Sequence, residues 1–192
     1  MELFKDLPVL LFESAKSWHD WLEENHRQPL GLWLKIAKKS SGKSSVTYAE
    51  ALEEALCYGW IDGQKQAYDD EYWLQKFSPR GTKSIWSKVN VTKAQRLVES
   101  GKMQPAGLAA IDAAKQDGRW DAAYDSPSTS KVPEDFQAAL DKNPGAKQFF
   151  GTLNKANVYA FCWRVQTAKR PETRKARIEK FIGMLNRGEK LH

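Results

Sequence analysis

The chain has 192 residues, of which 41% are hydrophobic and 28% are charged, and it contains 12 glycines and 8 prolines. This composition is typical of a soluble globular protein, and it excludes a disordered chain, a collagen and a coiled-coil rod. The longest apolar run, residues 7–12, is far shorter than the roughly 18 residues that a transmembrane helix requires. Because the N-terminus also lacks the charged start and long apolar stretch of a signal peptide, we expect a cytoplasmic protein.

The formal net charge of +6 is concentrated near the C-terminus. Residues 1–154 carry 20 basic and 21 acidic side chains, whereas residues 155–192 carry 10 basic and 3 acidic ones, a local net charge of +7. Such a block could bind nucleic acid or another acidic partner, or it could be the solvated face of a helix. The basic patch would consist of Arg164, Lys169, Arg170, Arg174, Lys175, Arg177 and Lys180.

The first part of the chain alternates between strand and helix patterns. Residues 9–13 predict a strand, and Ser14 is the expected N-cap of the helix that follows. Residues 31–37 alternate in the manner of a second strand. The capping box at 47–50 opens a helix that Gly59 ends.

Two runs of β-favouring residues then predict an antiparallel hairpin. These runs are residues 60–67 and 71–78, and the turn-forming residues 69–70 separate them. A two-residue turn would place Asp62 opposite Phe77. One face would then present Trp60, Asp62, Gln64, Trp73, Gln75 and Phe77. The other face, which we expect to be the core side, would present Ile61, Gly63, Tyr72 and Leu74.

The rest of the chain predicts helices. One helix is expected at about 91–100 and another at 105–116, and a turn-rich connector follows at 119–131. Three later prolines are expected at the first position of a helix, namely Pro133, Pro144 and Pro171.

These elements predict an α+β fold in two parts. Residues 1–124 would form a small, mainly antiparallel sheet with packed helices. Residues 132–192 would form a basic, helical C-terminal region.

The open face of the predicted hairpin indicates a ligand-binding cleft. Its residues would be Trp60, Asp62, Trp73, Phe77, Arg80 and Trp86. Aromatic rings could hold a flat or cationic group, Asp62 could neutralise its charge, and Arg80 could bind a carboxylate or phosphate. In the alternative interpretation, Asp62 and Arg80 form a structural salt bridge and the tryptophans belong to the core.

Signals for catalysis are weak. His19, Glu23 and His26 have a spacing compatible with a metal, but they lack the compact HExxH arrangement. Cys57 and Cys162 are expected to be buried thiols. Because the sequence has no GxSxG, GxGxxG, P-loop or CxxC motif, we predict no cofactor and no metal, and we leave open whether the protein is an enzyme.

Several stretches of the sequence resemble one known family. They are TYAEALEEALCYGWIDG at 47–63, KFSPR at 76–80, SIWSKVN at 84–90, GKMQPAGLAAI at 101–111 and DGRW at 117–120. Together they are similar to the YdeI/OmpD-associated family, also called bacteriocin-protection proteins. The resemblance extends over about residues 17–124, and residues 168–188 are similar to the closing helical segment of that family.

The resemblance implies a role in tolerance to bacteriocins or cationic antimicrobial peptides, and an association with an outer-membrane porin. Since no export signal is evident, we expect any protective effect to be exerted from the cytoplasm. The leading hypothesis is therefore a stress-tolerance protein that binds a small molecule or a cationic peptide in its aromatic cleft. The alternatives are a nucleic-acid or acidic-partner module that uses the basic patch, and an enzyme of unknown reaction centred on the cleft.

Overall fold

The structure, a computed structural model, describes residues 2–191, and the chain divides into two compact units. The first unit comprises the residues up to Trp86 together with Asn90–Ala122. The second comprises Ser87–Val89 and the residues from Ala123 onward.

The first unit combines five strands with helices. Its strands are β1 (Leu3–Phe4), β2 (Leu7–Leu11), β3 (Leu32–Ala37), β4 (Trp60–Ala67) and β5 (Tyr72–Pro79). Its helices are α1 (Ala15–Asn25), α2 (Tyr48–Cys57), most of α3 (Lys88–Glu99) and α4 (Pro105–Gln116). The strands form one sheet in the order β1-β2-β3-β5-β4, in which only β2 and β3 pair in parallel. The predicted α+β fold with a mainly antiparallel sheet is confirmed.

Local capping chemistry determines where the first two long helices begin. The Ser14 side chain accepts a hydrogen bond from the Ser17 amide, and the Thr47 side chain accepts one from the Glu50 amide. In both helices the third residue also bonds back to the cap, so amides that lack a partner inside the helix are satisfied. Both helices therefore begin where the sequence predicts. The first predicted strand, in contrast, lies two residues earlier than expected, at Leu7–Leu11.

The predicted hairpin forms, but its register changes within β4. Asp62 pairs with Phe77 as expected, whereas Ala67 rather than Gln66 pairs with Trp73 because the register shifts between Asp62 and Lys65. The shift is a β-bulge at residues 63–64, and the carbonyl oxygens of these two residues have a specific partner. The buried Gln75 side chain donates hydrogen bonds of 3.0 and 3.3 Å to the carbonyl oxygens of Gly63 and Gln64. A buried side-chain amide needs hydrogen-bond partners, so Gln75 pairs with these two carbonyl oxygens and stabilises the bulge that displaces the register.

The assignment of the two hairpin faces was wrong. The face that carries Trp60 and Phe77 is the main core side, because both side chains are fully buried. Trp18 of α1 covers them, with its ring centroid 6.2 Å from that of Trp60 and 5.8 Å from that of Phe77. The opposite face carries only a smaller buried cluster, which consists of Val9, Trp33 and Leu74.

The second unit is helical. Its helices are α5 (Glu134–Asp141), α6 (Pro144–Gly151), α7 (Lys155–Gln166) and α8 (Pro171–Asn186). Phe136, Phe161 and Phe181 form the centre of its core, with ring centroids 5.1 Å apart for Phe161 and Phe181. Pro144 and Pro171 occupy the first turn of their helices as predicted. Pro133 does not, because it is the N-cap of α5 rather than its first residue.

Candidate functional site

The six residues predicted to form the cleft lie in three different surroundings. Trp60 and Phe77 belong to the core, and the indole nitrogen of Trp60 donates a hydrogen bond of 2.9 Å to the carbonyl oxygen of His26. Neither ring can contact a ligand without displacing α1, because both are 0% exposed. Their role in the structure is packing.

Arg80 and Trp86 form a second group. The Arg80 guanidinium lies over the Trp86 ring, 3.5 Å from its centroid, and donates a hydrogen bond of 3.2 Å to the carbonyl oxygen of Ile85. Trp86 is 2% exposed and packs against Trp120 with a centroid distance of 4.8 Å. In the structure the Arg80 guanidinium stacks on a buried indole, and its binding of a carboxylate or phosphate stays a prediction.

Asp62 and Trp73 form the third group, together with Tyr48. The Tyr48 hydroxyl donates a hydrogen bond of 2.8 Å to Asp62 Oδ2, and the Tyr48 ring lies 6.2 Å from that of Trp73. Lys65 Nζ lies 4.2 Å above the centre of the Trp73 ring. Sequence reasoning missed Tyr48 because its spacing fits the apolar side of α2. Its position directly after the N-cap Thr47 could have indicated this role. Side chains of a helix point towards its N-terminus, so a side chain in the first turn can extend past the end of the helix.

These rings border a cavity with a volume of about 840 Å³. We call it the Tyr48–Trp73 groove. Its lining comes from the end of β3 at Ile36, the start of β5 at Trp73, the loop 38–45, the start of α2 and the end of β4. Asp62 adjoins it through the hydrogen bond from Tyr48. Part of the predicted cleft, Asp62 and Trp73, therefore lies beside an open cavity.

The groove is rich in lysine. Its lining contains Lys38, Lys39, Lys43 and Lys65, and Glu13 is its one acidic side chain among residues 2–191. Lys38 donates a hydrogen bond of 2.7 Å to the Asp69 carbonyl oxygen, and Lys43 forms a 3.3 Å ion pair with Glu71. Within the described residues, Lys39 and Lys65 have no carboxylate partner. The groove thus carries a net positive charge.

A separate polar cluster links α1 and α2. His19 Nδ1 lies 2.8 Å from Glu54 Oε2, and His19 Nε2 lies 3.1 Å from the Tyr58 hydroxyl. Burial and the nearby carboxylates of Glu23 and Glu54 raise the pKa of Tyr58 to about 12, so its phenol stays protonated at neutral pH. These contacts use both nitrogens of His19 for internal packing. Over residues 2–191, no group of three or more His, Cys, Asp or Glu side chains could hold a metal ion.

Both cysteines are buried and free, as the sequence predicts. Burial raises the pKa of Cys57 to about 12 and that of Cys162 to about 11. Because the thiolate is the nucleophilic form, neither side chain is activated for attack.

The predicted basic patch is only partly exposed. Arg174 forms two hydrogen bonds with Asp135, of 2.6 and 2.8 Å, and a third of 2.9 Å with the carbonyl oxygen of Val165. Arg177 donates to the carbonyl oxygen of Arg164. Both acceptors are carbonyl groups in the last turn of α7, where the regular bonding pattern of a helix ends. The function of the two arginines in the structure is to join α8 to α7.

Four members of the basic patch are exposed, namely Lys169, Arg170, Lys175 and Lys180. Arg164 donates a 3.2 Å hydrogen bond to the Ala160 carbonyl oxygen. Binding of nucleic acid or an acidic partner through this surface stays a prediction, in which these four exposed side chains are the most accessible of the seven. Affinity through four phosphate contacts would fall steeply with salt, by roughly 0.7 to 0.9 in log K for each contact per unit of log salt concentration.

The structure thus defines a two-unit protein in which an α+β unit with a lysine-rich aromatic groove is accompanied by a helical unit. No helix within residues 2–191 is long and apolar enough to cross a membrane. Comparison with known families gives a match in each of the two parts of the chain.

Residues 10–110 match the model of a family described as a domain of unknown function, DUF8412. This match covers more than half of the chain, so the chain belongs to that family. Residues 129–188 match the family described as bacteriocin-protection, YdeI or OmpD-associated, which confirms the predicted resemblance. No curated protein and no solved structure matched the chain significantly.

The position of the second match differs from the expectation. The motifs that suggested the bacteriocin-protection family lie mostly between residues 47 and 120, whereas the matching segment is 129–188, in the helical unit. That match indicates a role of the bacteriocin-protection type. The groove lies in the α+β unit, which the other family covers.

Proposed function

We propose that the protein binds a ligand in the Tyr48–Trp73 groove, and that this binding underlies a role of the bacteriocin-protection type. The observation that carries the proposal is the pair of aromatic rings, Tyr48 and Trp73, beside a cavity of about 840 Å³. This volume lies within the roughly 300 to 1,000 Å³ range of sites that hold small molecules. A small molecule or a short peptide segment fits such a site.

The two rings are held in place before any ligand arrives. Trp73 pairs with Ile36 on one side and with Ala67 on the other, so its backbone belongs to the sheet interior. Tyr48 follows the N-cap of α2, and its hydroxyl is bonded to Asp62. A preformed site loses little conformational freedom on binding, which favours affinity. Asp62 is therefore a positioning residue for Tyr48 in this proposal.

The experiment is a fluorescence titration of the full chain with two naphthalene probes, 8-anilinonaphthalene-1-sulfonate and the uncharged N-phenyl-1-naphthylamine. Replacing Trp73 by leucine, Trp73→Leu, removes the ring from the groove and is expected to weaken probe binding about fivefold, the typical contribution of an aromatic contact. The matched control is Tyr72→Leu, since Tyr72 directly precedes Trp73 in β5 and points to the other face of the sheet. Equal affinities for wild type and Trp73→Leu would contradict the proposal.

We also propose that the protein acts in the cytoplasm. Support comes from Cys57 and Cys162, which are both reduced and buried, as is usual where thiols are kept reduced. Cell fractionation with an antibody against the chain tests this point. Recovery in a periplasmic or membrane fraction would contradict it.

A further inference from the structure

We infer that the Tyr48–Trp73 groove selects an anionic ligand that joins a flat ring to a phosphate, sulfonate or carboxylate group. This inference rests on the proposed function, because it names the class of ligand for the same site. It also differs from the expectation of a cationic ligand that the sequence raised through Asp62.

The charge of the residues that line the groove favours an anionic ligand. Among the described residues of the lining, a cationic ligand would meet four ammonium groups and one carboxylate, that of Glu13. Two of those ammonium groups are engaged elsewhere, since Lys38 binds a backbone carbonyl and Lys43 pairs with Glu71. Lys39 and Lys65 have no carboxylate within the described chain to compensate them. An anion between them would supply the missing opposite charge.

Asp62 does not make the groove suitable for a cationic ligand. Its Oδ2 accepts the Tyr48 hydroxyl, so that oxygen is already used to hold the aromatic ring. Asp62 is also outside the immediate lining of the cavity. Within residues 2–191, Asp62 thus holds the Tyr48 ring, whereas Lys39 and Lys65 have no carboxylate partner.

The position of Lys65 links charge to aromatic surface. Its ammonium group lies 4.2 Å above the centre of the Trp73 ring, a distance at which the ring attracts the cation and limits its movement. A ligand whose ring contacts Trp73 or Tyr48 would bring a nearby anionic substituent within reach of Lys65. The exposed Ser44 hydroxyl, which also lines the groove, offers a neutral donor to the same substituent. A small molecule that carries both a ring and an anionic group would contact the aromatic side chains and the lysine at the same time.

The two naphthalene probes separate this inference from the proposed function, because they share a ring system and differ in the sulfonate. Wild type is expected to bind the sulfonate probe about tenfold more tightly than the neutral probe. The double variant Lys39→Gln/Lys65→Gln should lose most of that preference, measured as the ratio of the dissociation constants of the two probes for the same variant. The control Lys83→Gln/Lys102→Gln changes the net charge equally with exposed lysines outside the groove, and should keep the preference.

Competition then distinguishes the sources of the anionic group. Adenosine monophosphate and 4-hydroxybenzoate, tested at equal concentration, present a ring with a phosphate or a carboxylate, and inorganic phosphate presents the anion alone. Displacement of the sulfonate probe by either aromatic anion, with little displacement by inorganic phosphate, supports the inference. Equal affinity for both naphthalene probes, or an unchanged preference in Lys39→Gln/Lys65→Gln, would overturn it while leaving the proposed function intact. If Trp73→Leu has no effect on either probe, the proposed function itself fails.

Discussion

The Tyr48 hydroxyl donates a hydrogen bond of 2.8 Å to Asp62 Oδ2, and this contact connects the first turn of α2 to the edge strand β4. The two residues are 14 positions apart in the sequence, and only the path of α2 across the sheet brings them together. The contact gives Asp62 a defined task, which is to orient an aromatic ring that is 38% exposed at the groove. It also places the part of the cleft that the sequence predicted beside residues that the sequence did not single out.

Removal of this hydrogen bond is expected to affect binding more than folding. Tyr48→Phe keeps the ring and deletes the hydroxyl, so the free energy of unfolding should fall by only about 0.5 to 1.5 kcal/mol. Affinity for the sulfonate probe should fall about two- to threefold as the ring becomes mobile. Asp62→Ala should reproduce both effects, and the double variant should add little to either. Urea unfolding and probe titration measure the two quantities, and additive losses in the double variant would show that the two side chains act separately.

The Gln75 side chain is expected to be important for the stability of the β4–β5 hairpin. Gln75→Leu leaves the carbonyl oxygens of Gly63 and Gln64 without their side-chain donor. The expected loss is about 0.5 to 1.5 kcal/mol, the net contribution of a typical hydrogen bond, because Gly63 and Gln64 are exposed and water can replace the lost donor. Gln64→Leu, at an exposed position of the same bulge, is the control and should change stability by less than about 0.5 kcal/mol. Denaturant unfolding compares the two variants, and similar stabilities would contradict this role of Gln75.

The ion pair of Arg174 with Asp135 predicts an acid-sensitive contribution to the stability of the helical unit. The Arg174 guanidinium holds the pKa of Asp135 below its usual value in the folded protein. The unfolded chain then binds the proton more readily, so this stabilisation is complete above the ordinary Asp pKa of about 3.9 and is lost as the pH falls through the lower folded pKa. Because Asp135 is nearly half exposed, solvent screening limits the contribution to at most about 1 kcal/mol.

The test is Asp135→Asn, which should be less stable than wild type at pH 7 and equally stable once the wild-type carboxylate is protonated. Unfolding midpoints measured at several pH values between 7 and 2.5 follow this difference. A difference that is constant over the whole range would mean that the carboxylate charge is not the cause.

Close packing of α2 and α4 should make Gly107 intolerant of substitution. A Cβ atom at Gly107 would lie 2.3 Å from the Cys57 carbonyl oxygen and 2.8 Å from that of Leu56. Both neighbours are backbone atoms, so Gly107→Ala should force the helices apart and cost about 1 to 3 kcal/mol or more. Gly151→Ala is the matched change in α6, where a Cβ atom meets nothing within 4 Å, and it is expected to be neutral or slightly stabilising. A thermal melt of each variant decides, and a Gly107→Ala protein as stable as wild type would contradict the predicted close approach.

The positions of helices and strands depend on neighbours along the chain, and this part could be predicted from the sequence. Ser14 and Thr47 mark helix starts because a cap acts within three residues of itself. The hairpin was also predictable, since two β-favouring runs close in sequence meet with little loss of chain entropy. The alignment of Asp62 with Phe77 follows from the same local geometry.

The two sides of the hairpin could not be assigned in this way. Large apolar residues occur on both, with Trp60 and Phe77 on one and Ile61 and Leu74 on the other. Their burial is decided by Trp18, which approaches from α1 and covers only the first pair. The bulge at residues 63–64 likewise depends on a hydrogen bond from Gln75 in the neighbouring strand.

The sequence by itself determined the α+β class, the hairpin and the presence of Asp62 and Trp73 on one side of it. Only the tertiary structure decided that Trp60, Phe77 and Trp86 are buried, and that Trp73, Tyr48 and several lysines border one open cavity. The reason is physical. Capping and strand pairing act between near neighbours or adjacent strands, whereas burial and net charge at a site depend on every segment that the fold brings to the same place.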